Sequence, residues 1–350
     1  MSVFEHNEFD EHEHVAFYYD KRSGLRAIIA VHNSNLGSAL GGCRMWPYIS
    51  DDEALSDVLR LSKGMTYKAA MAGLKQGGGK AVIIGNPRTE KTPEKMLAMG
   101  DFIQSLSGKY ISAEDSGLTV DDLKLMGHQT AHVSGIQAKY RINAEPANGN
   151  PAPATAYGVF VGLKTTVKYA LNSELKGLTV AIQGLGYVGM RLAKHLHQHG
   201  VNLYVTDIHQ DNIAKAVEEF SAIAVSPDDI FDIKADVFAP CAMGAILNKE
   251  NISKLQVKVI AGAANNQLAT EEIGQLLADK RILYAPDYVI NAGGIIDIYH
   301  QSIASSEEAL KKHVEKISDT LLEIYKRAKP ERMATNIVAN QIAEERFRKL

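Results

Sequence analysis

Apolar and polar positions change period several times along this chain, and each change predicts an element. The stretch "GLRAIIAVHNSNLGSALGG", residues 24–42, reads as a strand followed by a glycine-containing loop. In "SDDEALSDVLRLSKGMTYKAAMAGL", Ala54, Val58 and Leu61 fall at helical spacing with Leu55 and Leu59 beside them, and Ser50 and Asp51 stand where a cap belongs. An amphipathic helix is expected there. Next comes "GGGKAVIIG", residues 77–85, read as a glycine-rich loop entering a strand; an unbroken run of β-branched residues suits a strand covered on both faces. Helices around 95–106 and 120–129 flank a short strand in "KYISAED".

Residues 140–153, "YRINAEPANGNPAP", have the composition of a hinge. Beyond a helix over 155–171 the period becomes strand, turn, helix, strand in "LTVAIQGLGYVGMRLAKHLHQHGVNLYVTD", a βαβ unit that "DVFAP", "VKVIAGAA" and "ILYAPDYVIN" extend into a parallel sheet. From Ser306 onward Leu310, Val314, Ile317, Leu321 and Ile324 repeat at helical spacing, and this part is expected to pack back across the face between domains. The fold class is therefore α/β with two domains: an N-terminal α/β domain over 1–145, to which 331–350 returns, and a Rossmann-type doubly wound domain over 146–330.

A chain of 350 residues accommodates two such cores. A net charge of −3 gives no basic surplus for nucleic acid or an acidic membrane surface, and no run of about 18 apolar residues reads as a membrane span. Small molecules and copies of itself are the expected partners. Cys43 and Cys241 are far apart and form no CxxC pattern, which fits a reducing cytoplasm.

Two features carry chemistry. Lys80 sits between glycines and a buried strand, where loss of solvation would disfavour its charged form and make it a usable base; taken alone, the stretch reads equally as a tight turn with a lysine snorkelling to the surface. Gly184, Gly186 and Gly189 form GxGxxG between a strand and a helix, with Leu185, Tyr187 and Val188 filling the fingerprint. Asp207 ends the next strand, where a carboxylate accepts from ribose hydroxyls; Ile208 and His209 follow it, and no nearby cation waits for a 2′-phosphate. NAD is the expected cofactor.

These residues resemble the amino-acid dehydrogenases that include the glutamate, leucine, valine and phenylalanine enzymes, and among them most of all the leucine group. The resemblance runs through "LGSALGGCRMW", "MTYKAAMAGLKQGGGKAVI", "ISAEDSGLTVDDL", "NPAPATAYGV", "VAIQGLGYVG", "VFAPCAMGAILN", "VIAGAANNQL" and "YAPDYVINAGG", so it covers nearly the whole chain. It implies that Lys68 pairs with the substrate α-carboxylate, Lys80 is the catalytic base, and Asp115 exchanges protons with the substrate nitrogen. It implies a substrate pocket from Leu40, Gly41, Gly42, Met65, Ala113, Ile295 and Ile298, with Asn291 nearby and Asn265 or Asn266 contacting ligand. Thr155, Cys241 and Ala242, with Asp207 and Ile208, match positions along the cofactor cleft. The implied reaction is reversible, NAD-dependent oxidative deamination of a branched-chain L-amino acid to a 2-oxo acid and ammonia by a self-associating enzyme whose first domain binds substrate and carries the subunit contacts.

Alternatives stand beside it: an aromatic amino-acid dehydrogenase, and a non-catalytic NAD-binding regulator, which intact Lys68, Lys80 and Asp115 argue against. Leu118 replaces a threonine usual in the family, and the segment 137–149 looks long. "EHNEFDEHEH" and "HLHQHG" lack a complete ligand set and read as solvated faces; no metal is expected. Trp46 reads as packing.

Overall fold

The computed structural model describes residues 3–136, 140–142, 150–242 and 244–348. Two sheets organise it. The first is built from β1 (His14–Asp20), β2 (Leu25–Asn33), β3 (Ala39–Trp46), β4 (Gly77–Ile84) and β5 (Tyr110–Glu114), in the order β1-β2-β4-β3-β5. β2 runs antiparallel to both β1 and β4, whereas β3 runs parallel to β4 and β5. Helix α1 (Asp51–Met71) crosses one face, while α2 (Pro93–Ser105) and α3 (Val120–Met126) belong to the other; Ser50 caps α1 by accepting from the Glu53 N–H.

The glycines read as loops are strand residues. Gly41 and Gly42 lie inside β3, and Gly77, Gly78 and Gly79 open β4. Glycine weakens a strand's pattern, yet here no side chain fits: a Cβ on Gly41 would stand 1.7 Å from the Gly79 carbonyl oxygen, and one on Gly78 would stand 2.0 Å from the Thr66 nitrogen of α1. The helix therefore lies on the sheet at backbone contact.

The second sheet is parallel throughout: β6 (Thr179–Gln183), β7 (Asn202–Thr206), β8 (Ile223–Ala224), β9 (Val237–Pro240), β10 (Val259–Ile260) and β11 (Leu283–Tyr284), in the order β11-β10-β9-β6-β7-β8. Strand order reverses at β6, so the crevice beyond the ends of β6 and β9 is the switch point where such folds bind ligands. Around the sheet lie α4 (Ala152–Leu171), α5 (Tyr187–Gln198), α6 (Gln210–Phe220), α7 (Lys249–Lys254), α8 (Glu272–Asp279), α9 (Asp287–Ile290) and α10 (Gly293–Ser302). Then follow α11 (Glu307–Glu315), α12 (Ile317–Glu331) and α13 (Thr335–Arg348).

The last turn of α1 explains how the two halves meet. A helix end leaves carbonyls without partners. Here the Ala70 and Met71 carbonyls accept from Arg346 at 3.2 and 3.1 Å, Met71 also from Thr320 at 3.3 Å, and Ala72 from the His313 ring at 2.8 Å. Three C-terminal helices thus fix the end of α1, one turn beyond Lys68. Tyr67 adds a bond to Glu344 at 2.7 Å.

The acidic N-terminal segment is not a solvated face throughout. His6 and His12 are buried against α1, His6 with Ser56 at 3.0 Å and His12 with the Leu59 carbonyl and Ser62 at 3.1 Å. Spacing along the sequence gave no sign that α1 offered those partners. Trp46 is half-exposed at the end of β3 rather than packed. The boundary expected near residue 145 lies outside the described residues, as does the segment 137–149 apart from 140–142. Among the described residues no helix is long and apolar enough to cross a membrane.

Candidate active site

Four elements of the first half deliver the candidate catalytic groups. Lys80 stands on β4, paired with Ala30 of β2, and is buried. Gly42 pairs with Ala113 across β3 and β5, and Asp115 follows the end of β5. A Cβ on Gly42 would stand 2.7 Å from the Asp115 Cβ and 3.2 Å from Lys80 Nζ, so its absence is the space in which lysine and aspartate meet. Lys80 Nζ contacts Asp115 Oδ2 directly. From β3, Arg44 Nε reaches the same oxygen at 3.3 Å. Burial works to raise the Asp115 carboxyl, but Lys80 and Arg44 outweigh it and hold it at about 2. Asp115 is thus an anion in direct contact with Lys80 Nζ.

Lys68 lies on α1, and its Nζ donates to Asn291 Oδ1 at 2.6 Å. Asn291 caps α9 in the second half, and its amide donates to the Ala263 carbonyl at 3.1 Å and to Asn265 Oδ1 at 2.8 Å. The cleft is therefore bridged from α1 through Asn291 to Asn265. Burial lowers Lys68 to about 8; Lys80 pushes the same way, against Asp287 and Asp115. The adjacent asparagines part company here: Asn265 joins this network by its side chain, while Asn266 is a turn residue with φ 51° whose carbonyl accepts from Ala245.

Leu40, Ala113 and Ile295 are buried members of a large apolar cluster that runs through both halves, and Met65 and Ile298 pack against it. Gly41 is buried between β3 and β4 backbones. Leu118 sits elsewhere, in the cluster containing Met45 and Phe102.

At the second sheet's switch point, Gly184 takes φ 96° and lies so near Ala242 that a Cβ would stand 2.7 Å from that residue's. Gly189 permits the helix to approach, since its Cβ would meet the Gly184 carbonyl oxygen at 2.0 Å. Gly186 differs: nothing lies within 4 Å of its Cβ position, and it caps α5 without a side-chain bond. Open space before an uncapped helix N-terminus fits a dinucleotide pyrophosphate. Asp207 Oδ2 accepts from the Leu185 N–H at 2.5 Å and Oδ1 from the His209 N–H at 2.8 Å, so this carboxylate shapes the fingerprint loop. Tyr187 and Ile208 are exposed and Val188 is half-buried. The Cys241 N–H bonds the Gln183 carbonyl at 2.7 Å, and burial raises its thiol to about 12, which leaves it unreactive. Thr155, at the start of α4, donates to the Pro151 carbonyl at 2.9 Å.

Two residues of this site were not singled out from sequence. Arg44 lay within "GGCRMW", and Asp287 within "YAPDYVINAGG". Asp287 accepts from the Gln267 and Tyr288 N–H groups at 3.0 and 2.8 Å, and so fixes the turn that carries Asn265. A lone charged residue inside an otherwise uncharged, largely apolar run was the available signal for both. His195 and His199 pack on the Phe160 ring at 5.3 and 4.7 Å. Among the described residues no three metal-ligating side chains gather.

The chain matches the family model "Glu/Leu/Phe/Val dehydrogenase, dimerisation domain" over residues 12–132 and "Glutamate/Leucine/Phenylalanine/Valine dehydrogenase" over 150–207 and 203–349. It is 47% identical to leucine dehydrogenase of Thermoactinomyces intermedius, covering 99% of this chain and 94% of that one. It is 45% identical to L-tryptophan dehydrogenase of Nostoc punctiforme over 99% and 96% of the two chains. The crystal structure of L-tryptophan dehydrogenase from Nostoc punctiforme superposes with a TM-score of 0.85 over 97% of this chain and 96% of that one, at 45% identity.

Proposed function

The chain belongs to the Glu/Leu/Phe/Val dehydrogenase family and is a pyridine-nucleotide-dependent amino-acid dehydrogenase; from that premise we propose that it deaminates a branched-chain aliphatic L-amino acid reversibly with NAD. The observation that carries this reading is the meeting of Lys80 and Asp115 in the space left by Gly42, with Lys68 close enough to feel both charges. In this reading Lys68 gives up Asn291 and pairs with the substrate α-carboxylate. The side chain then enters the wall of Leu40, Ala113, Ile295 and Ile298. Gly184–Gly189 would hold the dinucleotide's pyrophosphate and Asp207 its adenosine ribose, and the nicotinamide would supply the hydride acceptor. Hydride loss from Cα leaves a substrate iminium, and the Lys80 amine takes a proton from the water that adds to it. Asp115 exchanges protons with the nitrogen, which leaves as ammonia; the reverse sequence is reductive amination.

No residue of the apolar wall offers a charge to a γ-carboxylate, whose burial unpaired would cost several kcal/mol. Glutamate is accordingly a poor substrate. Ile295 and Ile298 fill depth that an aromatic ring would need, and overpacking costs about 1–3 kcal/mol. A second reading, an aromatic substrate, is favoured by the likeness to L-tryptophan dehydrogenase. One experiment separates them: kcat/KM for leucine, isoleucine, valine, phenylalanine, tryptophan and glutamate, each with NAD and NADP. The aliphatic trio with NAD should lead; a larger value for phenylalanine or tryptophan overturns the substrate, and a larger value with NADP overturns the role of Asp207.

Self-association belongs to the same proposal. Phe17 and Tyr19 on edge strand β1 are exposed, within the region that matches the dimerisation model. Light scattering should report an oligomer. Free thiols at Cys43 and Cys241 support a cytoplasmic setting.

A further inference from the structure

The two oxygens of Asp115 have unlike surroundings. Oδ2 contacts Lys80 Nζ and lies 3.3 Å from Arg44 Nε, whereas Oδ1 stands 3.4 Å from Ser116 Oγ, and the Ser116 N–H also bonds the carboxylate. Arg44 comes two residues after Gly42 on β3, hence on the same face of that strand, and approaches Asp115 beside the space that Gly42 leaves. Its far end is anchored: Nη1 donates to Asp57 Oδ2 at 2.8 Å, and Asp57 also accepts from Tyr48 at 2.7 Å and Arg60 at 2.9 Å. Arg44 Nε itself is buried and makes no hydrogen bond of good geometry, so an unspent N–H stands beside a carboxylate. An anchored fork with one donor held in reserve is a device for orienting its neighbour.

We propose that Arg44 is a positioning residue for the deamination chemistry: with Lys80 it fixes Oδ2 of Asp115 and leaves Oδ1 to face the reacting nitrogen. The inference rests on the dehydrogenase reading above and adds a residue to it. The reserved Nε–H takes up Oδ2 when Lys80 turns to its water, so Asp115 keeps its orientation while its first partner is engaged. Charged and titratable groups face Asp115 from every side: Lys80 from β4, Arg44 and Cys43 from β3, Lys68 from α1, and Glu114 and Tyr110 from β5, with Tyr48 and Asp57 behind Arg44. Among these, Arg44 is the cation that does not itself handle substrate. An opposite charge at such range lowers a carboxyl by about 1–3 units, so its loss moves Asp115 upward.

The test uses the purified full chain with Arg44→Gln and Arg44→Lys, following kcat and KM for leucine at saturating NAD, with NAD binding and melting temperature measured separately. Arg44→Gln should lower kcat about 10²-fold, as misorientation does, with the leucine KM and NAD affinity unchanged. Arg44→Lys should recover part of that kcat. If only the lysine variant folds, a kcat below wild type at an unchanged leucine KM supports the role and a wild-type kcat overturns it. A kcat that stays near wild type in Arg44→Gln, or a loss carried by the leucine KM and the melting temperature instead of kcat, makes Arg44 merely structural. A wild-type chain that oxidises no amino acid removes the dehydrogenase reading instead, and the two failures are distinct.

Discussion

Both halves of the molecule place glycines at their working edge, but for opposite reasons. In the first half, Gly41 and Gly78 have no side chain because neighbouring backbone already fills the space, 1.7 and 2.0 Å from where a Cβ would be. In the second, Gly186 looks onto open space. The first kind packs β3 against β4 and α1 onto β4, and so sets Lys68 near Lys80; the second kind keeps a place for something that the chain itself does not supply. Glycine in a motif is thus two signals, close packing of the protein against itself and room for a ligand, and only the surroundings tell them apart.

If close packing serves to deliver Lys80, removing the delivered group should spare everything else. Lys80→Ala is expected to cost about 10²–10⁴-fold in kcat, the range for a lost general base, with NAD affinity kept. Stopped-flow turnover and an NAD titration check this, and near-normal turnover would take the base role from Lys80. Gly78→Ala attacks the packing itself. The added methyl forces α1 off the sheet, an overpacking cost of about 1–3 kcal/mol, and displaces Lys68 two residues past Thr66, where a misplacement near 1 Å costs about 10²-fold in rate. A variant with wild-type melting temperature and turnover would mean that the helix yields freely. Gly186→Ala should do the reverse: an unchanged melting temperature and an NAD KM raised about tenfold, a change of ~1.4 kcal/mol. Should Gly186→Ala melt early and bind NAD normally, the contrast between the two glycine types fails.

Much of this was legible from sequence because it is local. The βαβ fingerprint, the caps of α1 and the α/β class all follow from period and spacing within one segment. The glycines of β3 and β4 were read as loops because their reason is non-local: Thr66 and Gly79 exclude a side chain only once the helix and sheet have met. Arg44 went unread for the same cause, since nothing in "GGCRMW" states that Asp57 will hold one end of its guanidinium and Asp115 lie by the other. Likewise Asn265 and Asn266 are equal as letters, and what separates them is Asn291, which reaches one and not the other. Lys80 was marked by the glycines and strand around it, whereas Lys68 and Asp115 came from resemblance, which carries spatial information that spacing lacks.

The smallest expected effect is a titration, and it bears on how tightly the first half is packed. Lys68 must be an ammonium to hold a carboxylate, yet burial brings it down to about 8 in the free chain. The sign follows: below that value the charge is present, and as pH rises through it the carboxylate partner is lost. A 2-oxo acid has no amine to titrate, so its affinity for the enzyme with reduced cofactor isolates the lysine. Between pH 7 and 8 the charged fraction falls roughly twofold, and affinity should fall by about that factor, continuing about tenfold per unit well above. Binding itself favours the charged form, which moves the limb upward in the complex and makes proton uptake measurable by calorimetry in two buffers. Flat affinity up to pH 10 would mean that Lys68 keeps its ordinary value, and that α1 lies less closely against the cleft than its contact with Gly78 implies.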